Sequence, residues 1–216
     1  MNILRPVEAA IKELCAQKYV TTSMVIPMIY ILQKNIKELQ PKQEIGLQLK
    51  SAIIVQCDKR FSSVKSCSLL GMATVLDPRL KKLYFTVALS KMLRYISNEI
   101  KQTQTMSSSG NSSDTDNTTV EGPRSLNLWQ DHAKHVQQST SRKSHRGRLQ
   151  EESGFPSELN LYLKSSHTRL SDDPLLIWKN MCNVYPILSK VAVKYLVPVA
   201  TSVPSERLFS KARTDE

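Results

Sequence analysis

The amino-acid sequence predicts a mainly α-helical protein with one long polar insert. Gly is scarce, at 6 of 216 residues, and residues 1–100 carry apolar side chains at helical spacing in four successive segments. Residues 101–153 are instead rich in Ser, Thr and Asn, and they bury too little apolar surface to repay the entropy of ordering. We therefore expect a helical region over 1–100, a disordered linker over 101–153, and a second helical region over 154–216.

Apolar stripes define the helices predicted for the first region. They run along Val7, Ile11, Leu14 and Cys15, along Met28, Leu32, Ile36 and Leu39, and along Leu49, Ala52, Ile53 and Cys57. Pro27 fits the first turn of the second helix, where a missing N–H costs little. A fourth helix is expected to start at Asp77-Pro78, because Asp is a good N-cap and Pro is preset for the first helical position.

The second helical region shows the same start signal. Asp173 precedes Pro174, and Pro186 interrupts the pattern so that a further helix begins there. Residues 156–166 are compatible with a short helix or with an extended arm. The faces expected to be apolar consist of Leu175, Trp178, Met181 and Cys182 in one helix and Ile187, Val191 and Tyr195 in the next.

The chain is strongly basic, with a formal net charge of +11. A charge of this size favours a polyanionic partner such as nucleic acid, although a solvated basic surface is the simpler alternative. Lys91 and Arg94 are expected to continue a basic helix that starts near residue 79, and residues 141–148 form a short basic run. The candidate nucleic-acid contacts are Arg79, Lys81, Lys82, Arg142, Lys143, Arg146 and Arg148.

Several site classes are not expected. The four cysteines include no C-x2-C pair, which argues against a zinc finger within this chain. The sequence contains no run of about 18 apolar residues, so we expect no membrane span. Asp77 and Asp173 precede prolines, so helix capping explains these acids, and neighbouring Asp172, better than metal binding. No histidine has a nucleophile or acid at motif spacing, so we expect no cofactor, no metal and no general base.

Three stretches resemble the hAT superfamily of transposases and their domesticated relatives, with the zinc finger BED domain-containing proteins as the nearest type. They are "AQKYVTTSMVIPMIYIL", "GMATVLDPRLKKLYF" and "DDPLLIWKNMCNVYPILSKVAVKYLVPVATSVPSERLFSKA". They occur in the family's order, and the third is the most specific. The dimerisation signature within it comprises Trp178, Tyr185, Pro186, Tyr195, Leu196, Ser202, Ser205, Glu206, Arg207, Phe209 and Ser210.

The resemblance implies a fragment of a ribonuclease-H-like transposase fold. The part present would be the end of a helical insertion followed by C-terminal helices that pair with a second subunit. The implied partner is another copy or a related hAT-type chain, and the implied location is the nucleus, with DNA bound through a full-length protein. The family's BED finger and early catalytic acids have no counterpart here, and the family's sequence continues beyond the signature.

Glu206 is the single residue that matches the family's acidic catalytic set. Metal-assisted phosphoryl transfer needs several carboxylates around two cations, so one carboxylate cannot build that site. A non-catalytic role in the first turn of a helix, where the dipole favours a negative charge, explains Glu206 more simply. We therefore expect a non-enzymatic dimerisation module. The alternative is a remnant of an active DNA transposase that lacks its N-terminal half.

Overall fold

In a computed structural model of the chain, residues 3–16, 22–85, 88–106, 132 and 155–198 are described. Within them the chain is mainly helical and contains no strand, as the sequence predicts. The α-helices are α1 (Arg5–Ala16), α2 (Val25–Glu38), α3 (Glu44–Phe61), α4 (Ser68–Leu76), α5 (Leu89–Met106), α6 (Ser157–Lys164), α7 (Pro174–Met181) and α8 (Pro186–Leu196), with short 3-10 turns at Thr22–Met24 and Val64–Ser66. Below, residues 3–106 are the N-terminal region and residues 155–198 the C-terminal region.

Helix α2 confirms its predicted stripe, since Met28, Leu32 and Ile36 are all buried and Pro27 lies in its first turn. The stripe predicted for α1 is wrong at Ile11, whereas Val7 and Leu14 pack partly buried against the core. Ile11 is 57% exposed, whereas neighbouring Ala10 is buried. The small Ala side chain allows α1 to approach the core closely, and the larger Ile is left on the outside.

Helix α4 is the centre of the fold, and the sequence patterns did not reveal it. All residues from Gly71 to Leu76 are buried, and α4 contacts α2, α5 and α8. A helix that is buried all round has no polar face, so it has no amphipathic period to detect. Gly71 permits the close approach of α5, because a Cβ there would lie 2.4 Å from the Met92 sulfur.

The helix predicted to start at Asp77-Pro78 is wrong. Asp77 follows the last residue of α4, residues 78–84 form turns, and the next helix begins only at Leu89. The backbone N–H groups of Leu80 and Lys81 both donate to the Asp77 carbonyl. Lys81 then adopts a φ of 46°, which lies in the left-handed region and cannot continue a right-handed helix.

Two apolar clusters form the core. One is built on α4, α5 and the C-terminal region, and it includes Ile96, Trp178 and Leu188. The other lies between α1 and α2 and includes Ile31 together with Leu80, which follows α4. Because α4 and the residues after it contribute to both clusters, the N-terminal and C-terminal regions pack into one structure.

The C-terminal region confirms both predicted proline starts. Asp173 caps α7, its carboxylate accepting from Leu175 N at 2.9 Å, and Pro174 is the first helical residue. Pro186 opens α8. Residues 157–164 adopt the helical alternative, as α6. The prediction that Cys182 shares the apolar face of α7 is wrong. This residue follows the end of α7, and its side chain is exposed.

The fifth helix crosses the boundary predicted at residue 100. Helix α5 continues to Met106, because Ile96 and Ile100 are fully buried and anchor its second half. Of residues 107–154 the structure describes His132, which is buried and accepts from or donates to the Tyr84 hydroxyl at 2.9 Å through Nδ1. The remainder of the predicted linker lies outside the described residues.

Candidate functional site

Residues 75–81, here called the junction, connect the N-terminal region to the C-terminal region through buried polar contacts. At its centre, Asp77 is fully buried and Arg79 is 4% exposed. The guanidinium binds the carboxylate in a two-pronged manner, with Nε to Oδ1 at 2.9 Å and Nη2 to Oδ2 at 2.7 Å. The Ser23 hydroxyl donates to Oδ2 at 2.6 Å. The buried charge of Asp77 is therefore compensated by a cation and by further hydrogen bonds.

Arg79 also reaches the C-terminal region. Its Nη1 donates to the carbonyl oxygens of Leu170 at 3.2 Å and Asp172 at 3.4 Å. These carbonyls lie in the turn that leads into α7, so the guanidinium joins the end of α4 to the start of α7. The five donors of arginine in a rigid fork suit this combination of carboxylate and carbonyl partners.

Lys81 makes a second connection, to the end of α6. Its Nζ lies 2.9 Å from Tyr162 O, 2.8 Å from Ser165 O, 2.7 Å from Ser165 Oγ and 2.9 Å from Ser166 O. The side chain is 1% exposed. The last carbonyls of a helix lack partners within the helix and carry partial negative charge, so a cation is favoured there.

Two aromatic side chains satisfy the carbonyls at the end of α4. The Trp178 indole N–H donates to Leu76 O at 2.8 Å, and the Tyr162 hydroxyl donates to Val75 O at 3.0 Å. The two rings lie 4.9 Å apart, and each also meets Tyr185 edge-on. Burial, assisted by the nearby charge of Asp77, raises the pKa of Tyr162 well above its ordinary value. Tyr162 therefore remains a neutral hydrogen-bond donor.

The predicted dimerisation signature divides into two groups. Four of its members pack inside the chain and are buried there: Trp178, Tyr185, Tyr195 and Leu196. Pro186 is exposed at the start of α8. The other signature residues, Ser202, Ser205, Glu206, Arg207, Phe209 and Ser210, lie outside the described residues.

The basic helix predicted from residue 79 onward is wrong. Arg79 and Lys81 are buried and bind protein oxygens, so in this fold they are not available to a phosphate backbone. Lys82 is half-buried, while Lys91 and Arg94 are exposed on α5. Arg142, Lys143, Arg146 and Arg148 lie outside the described residues.

The outer face of α8 is partly apolar. Val193 is 40% exposed and Val197, directly after the helix, is 58% exposed. Residues four apart lie on the same side of a helix, and exposed Lys190 lies on this side as well. Lys194, next to this face, binds Glu99 of α5 at 2.6 Å. This outer face, defined by Lys190, Val193 and Val197, is the part of α8 that the core leaves uncovered.

A carboxylate from α6 caps α8. Glu158 Oε2 accepts from Ile187 N at 3.2 Å and from Leu188 N at 2.7 Å. Tyr185, at the N-cap position, provides no side-chain hydrogen bond of its own. Two otherwise unpaired N–H groups at the positive end of α8 are thus satisfied from another helix.

Glu158→Gln is expected to lower the free energy of unfolding by about 1–2 kcal/mol, because a neutral amide replaces the capping carboxylate. Urea denaturation followed by circular dichroism measures this change. Glu38→Gln, at an exposed position near the end of α2, is the matched control and should change stability by less than about 0.5 kcal/mol. Equal effects of the two substitutions would contradict the capping role.

The ion pair between α5 and α8 predicts a small acid dependence. The hydrogen bond from Lys194 lowers the pKa of Glu99 below its ordinary value of 4.5, against an opposing effect of burial. A lowered carboxyl pKa stabilises the folded state above pH 4.5, and this contribution is lost as the pH falls through the folded-state pKa. Lys194 is largely exposed, so the contribution should stay below about 1 kcal/mol.

Urea denaturation of wild type and Lys194→Met at pH 7, 5 and 3.5 tests this expectation. The stability difference between the two proteins should be present at pH 7 and shrink at pH 3.5, while the titration of other carboxyl groups cancels in the comparison. A difference that stays constant from pH 7 to 3.5 would show that the pair does not carry this dependence.

The described residues include no group of three or more His, Cys, Asp or Glu side chains placed to hold a metal ion. Across the same part of the chain, no helix is long and apolar enough to cross a membrane. Cys57, Cys67 and Cys182 are free thiols.

Comparison with known proteins shows similarity to one transposase family. Residues 158–215 match the hAT family C-terminal dimerisation region. The resemblance to the hAT superfamily is confirmed. The chain is also 29% identical over 218 residues to human zinc finger BED domain-containing protein 4, and this similarity covers 96% of the chain. It covers 17% of that protein, so the chain spans about a sixth of the length of this relative. Residues 158–215 are called the hAT segment below.

Proposed function

We propose that this chain is a protein-association module derived from a hAT transposase, which pairs with a second copy of itself or with a related hAT-type chain. The observation that carries the proposal is the match of residues 158–215 to the family's C-terminal dimerisation region. The internal contacts of the junction support it, because they attach residues 158–198, the described part of the hAT segment, to the N-terminal region.

Within this proposal the buried signature residues and the outer face of α8 have separate roles. Trp178, Tyr185, Tyr195 and Leu196 hold the hAT segment on the core, since they are buried inside one chain. The outer face of α8 provides contact to the partner, together with the part of the hAT segment beyond residue 198. In a two-fold symmetric pair the same patch occurs on both subunits, so Val193 and Val197 would pack against their counterparts.

The module acts without catalysis of its own in this proposal. Glu206 is one carboxylate, and a two-metal site for phosphoryl transfer requires several. We further propose that the module belongs to a DNA-associated nuclear protein. The relative is named for a zinc finger BED domain. The net charge of +11 favours electrostatic attraction to a polyanion such as DNA. Contact with DNA is assigned to the longer protein, with the basic run 141–148 as a supporting contact.

Analytical ultracentrifugation of the full chain over a dilution series tests the proposed pairing. We expect a monomer–dimer equilibrium in which the dimer fraction rises with concentration. A folded chain that sediments as a monomer at every concentration would contradict association with itself, and mixing with a related hAT-type chain would then test the second form of the proposal.

A further inference from the structure

Contacts between the two regions converge on the backbone and side chains of the junction. Val75 O and Leu76 O accept from the aromatic side chains of the C-terminal region, and Pro78 O accepts from Thr168 N at 3.2 Å. Arg79 and Lys81 donate in the opposite direction, to carbonyls of that region. A short stretch thus offers both acceptors and donors to the same partner surface.

Among these residues, Lys81 makes the most specific contact with the C-terminal region. Its ammonium group meets three carbonyls and one hydroxyl at the end of α6, and it lies 4.7 Å from the centre of the Tyr162 ring. In a buried site each such bond is electrostatically stronger than in water. The backbone of Lys81 is held at a φ of 46°, a conformation that is costly for a residue with a Cβ and persists when surrounding contacts fix it.

We propose that Lys81 is a docking residue that recognises the carbonyl end of α6, and that the junction binds the C-terminal region as a separable unit. The N-terminal region, residues 3–106, is then the receptor, and the covalent connection through residues 107–154 is dispensable for binding. The inference rests on the proposed function in one respect, because it names the contacts that position the associating hAT segment.

Cleavage of the folded full chain tests this proposal. A site for a specific protease is placed between Ser107 and Asp114, the purified chain is cut, and the dissociation constant of the two fragments is measured by dilution and size-exclusion chromatography. Wild-type fragments should stay bound. Lys81→Met, which keeps the length of the side chain without its charge, should weaken fragment binding by about 10–100-fold. Lys91→Met, on the exposed face of α5, is the matched control and should leave binding unchanged.

A second substitution separates recognition from general loss of stability. Ser165→Ala removes the hydroxyl that lies 2.7 Å from Lys81 Nζ, and it should weaken fragment binding by about threefold to tenfold. If the two groups act together, the double variant should bind about as tightly as Lys81→Met alone, because the hydroxyl contact is already lost. If Lys81→Met does not fold, the comparison of Ser165→Ala with wild type replaces the first one.

The outcomes distinguish this inference from the proposed function. Fragment binding that is equal in wild type and Lys81→Met would overturn it, as would separation of the wild-type fragments immediately after cleavage. Fully additive effects of Lys81→Met and Ser165→Ala would overturn the recognition of α6 by Lys81. Tight fragment binding that depends on Lys81, in an intact chain that sediments as a monomer, would support docking while contradicting self-association.

Discussion

Replacing Asp77 by Ala is expected to lower the free energy of unfolding by about 3–5 kcal/mol. The substitution leaves the Arg79 guanidinium buried without its carboxylate, and removing one partner of a buried ion pair has a cost in this range. The Ser23 hydroxyl and the Arg79 backbone N–H also lose their acceptor. Urea denaturation at pH 7, followed by circular dichroism, measures the change.

Two further variants identify the cause of that loss. Glu8→Ala breaks the exposed pair with Lys12 and should leave stability almost unchanged, because solvent screens the pair. The double variant Asp77→Leu/Arg79→Met removes both buried charges, so it should be more stable than Asp77→Ala. A double variant that is less stable than Asp77→Ala would show that the buried charge of Arg79 is not the reason for the loss.

Trp178→Ala is expected to cost about 3–5 kcal/mol of unfolding free energy. Trp178 is fully buried beside Tyr162 and Tyr185, so truncation leaves a large cavity in the cluster that joins the two regions. It also leaves Leu76 O without the indole N–H. Because this carbonyl ends α4, the loss should loosen the attachment of the C-terminal region as well as lower overall stability.

Trp178→Phe separates the two contributions, since it retains an aromatic ring and removes the N–H. We expect a loss of about 1–3 kcal/mol for this variant. Tyr95→Ala, at an exposed aromatic on α5, is the control and should cost less than about 1 kcal/mol. Equal losses for Trp178→Ala and Tyr95→Ala would contradict the assigned role of Trp178.

Sequence patterns predicted those elements whose local signals agree with their tertiary surroundings. Asp173-Pro174 and Pro186 marked helix starts correctly, because each start depends on local backbone chemistry. Asp77-Pro78 carries the same local signal and does not start a helix. Its carboxylate is engaged by Arg79 and Ser23, and Ser23 is distant in the sequence, so periodicity and capping rules do not include it.

The candidate site was predictable to a similar extent. The signature residues were found by resemblance, and packing was the favoured role for their aromatic side chains. Whether they pack within the chain or against a partner stayed open, because aromatic residues are common in cores and in interfaces. The roles of Arg79 and Lys81 were missed, since charged side chains are rarely buried. In the C-terminal region they bind backbone carbonyls of residues more than 80 positions later in the chain, and backbone carbonyls leave no mark in a sequence.

In the proposed function the chain associates through the outer face of α8, while the buried signature residues hold that helix in place. Sedimentation of Val193→Lys/Val197→Lys against wild type over a dilution series tests it most directly. In a two-fold pair the added lysines face one another and Lys190, so like charges meet across the interface. Val55→Lys on α3, which is similarly exposed, is the matched control.

We expect the double α8 variant to weaken dimerisation by at least about tenfold, which corresponds to 1.4 kcal/mol, with an unchanged circular dichroism spectrum. The Val55→Lys control should associate as wild type does. A double variant that dimerises as tightly as wild type, or a wild-type chain that remains monomeric throughout the series, would contradict the claim.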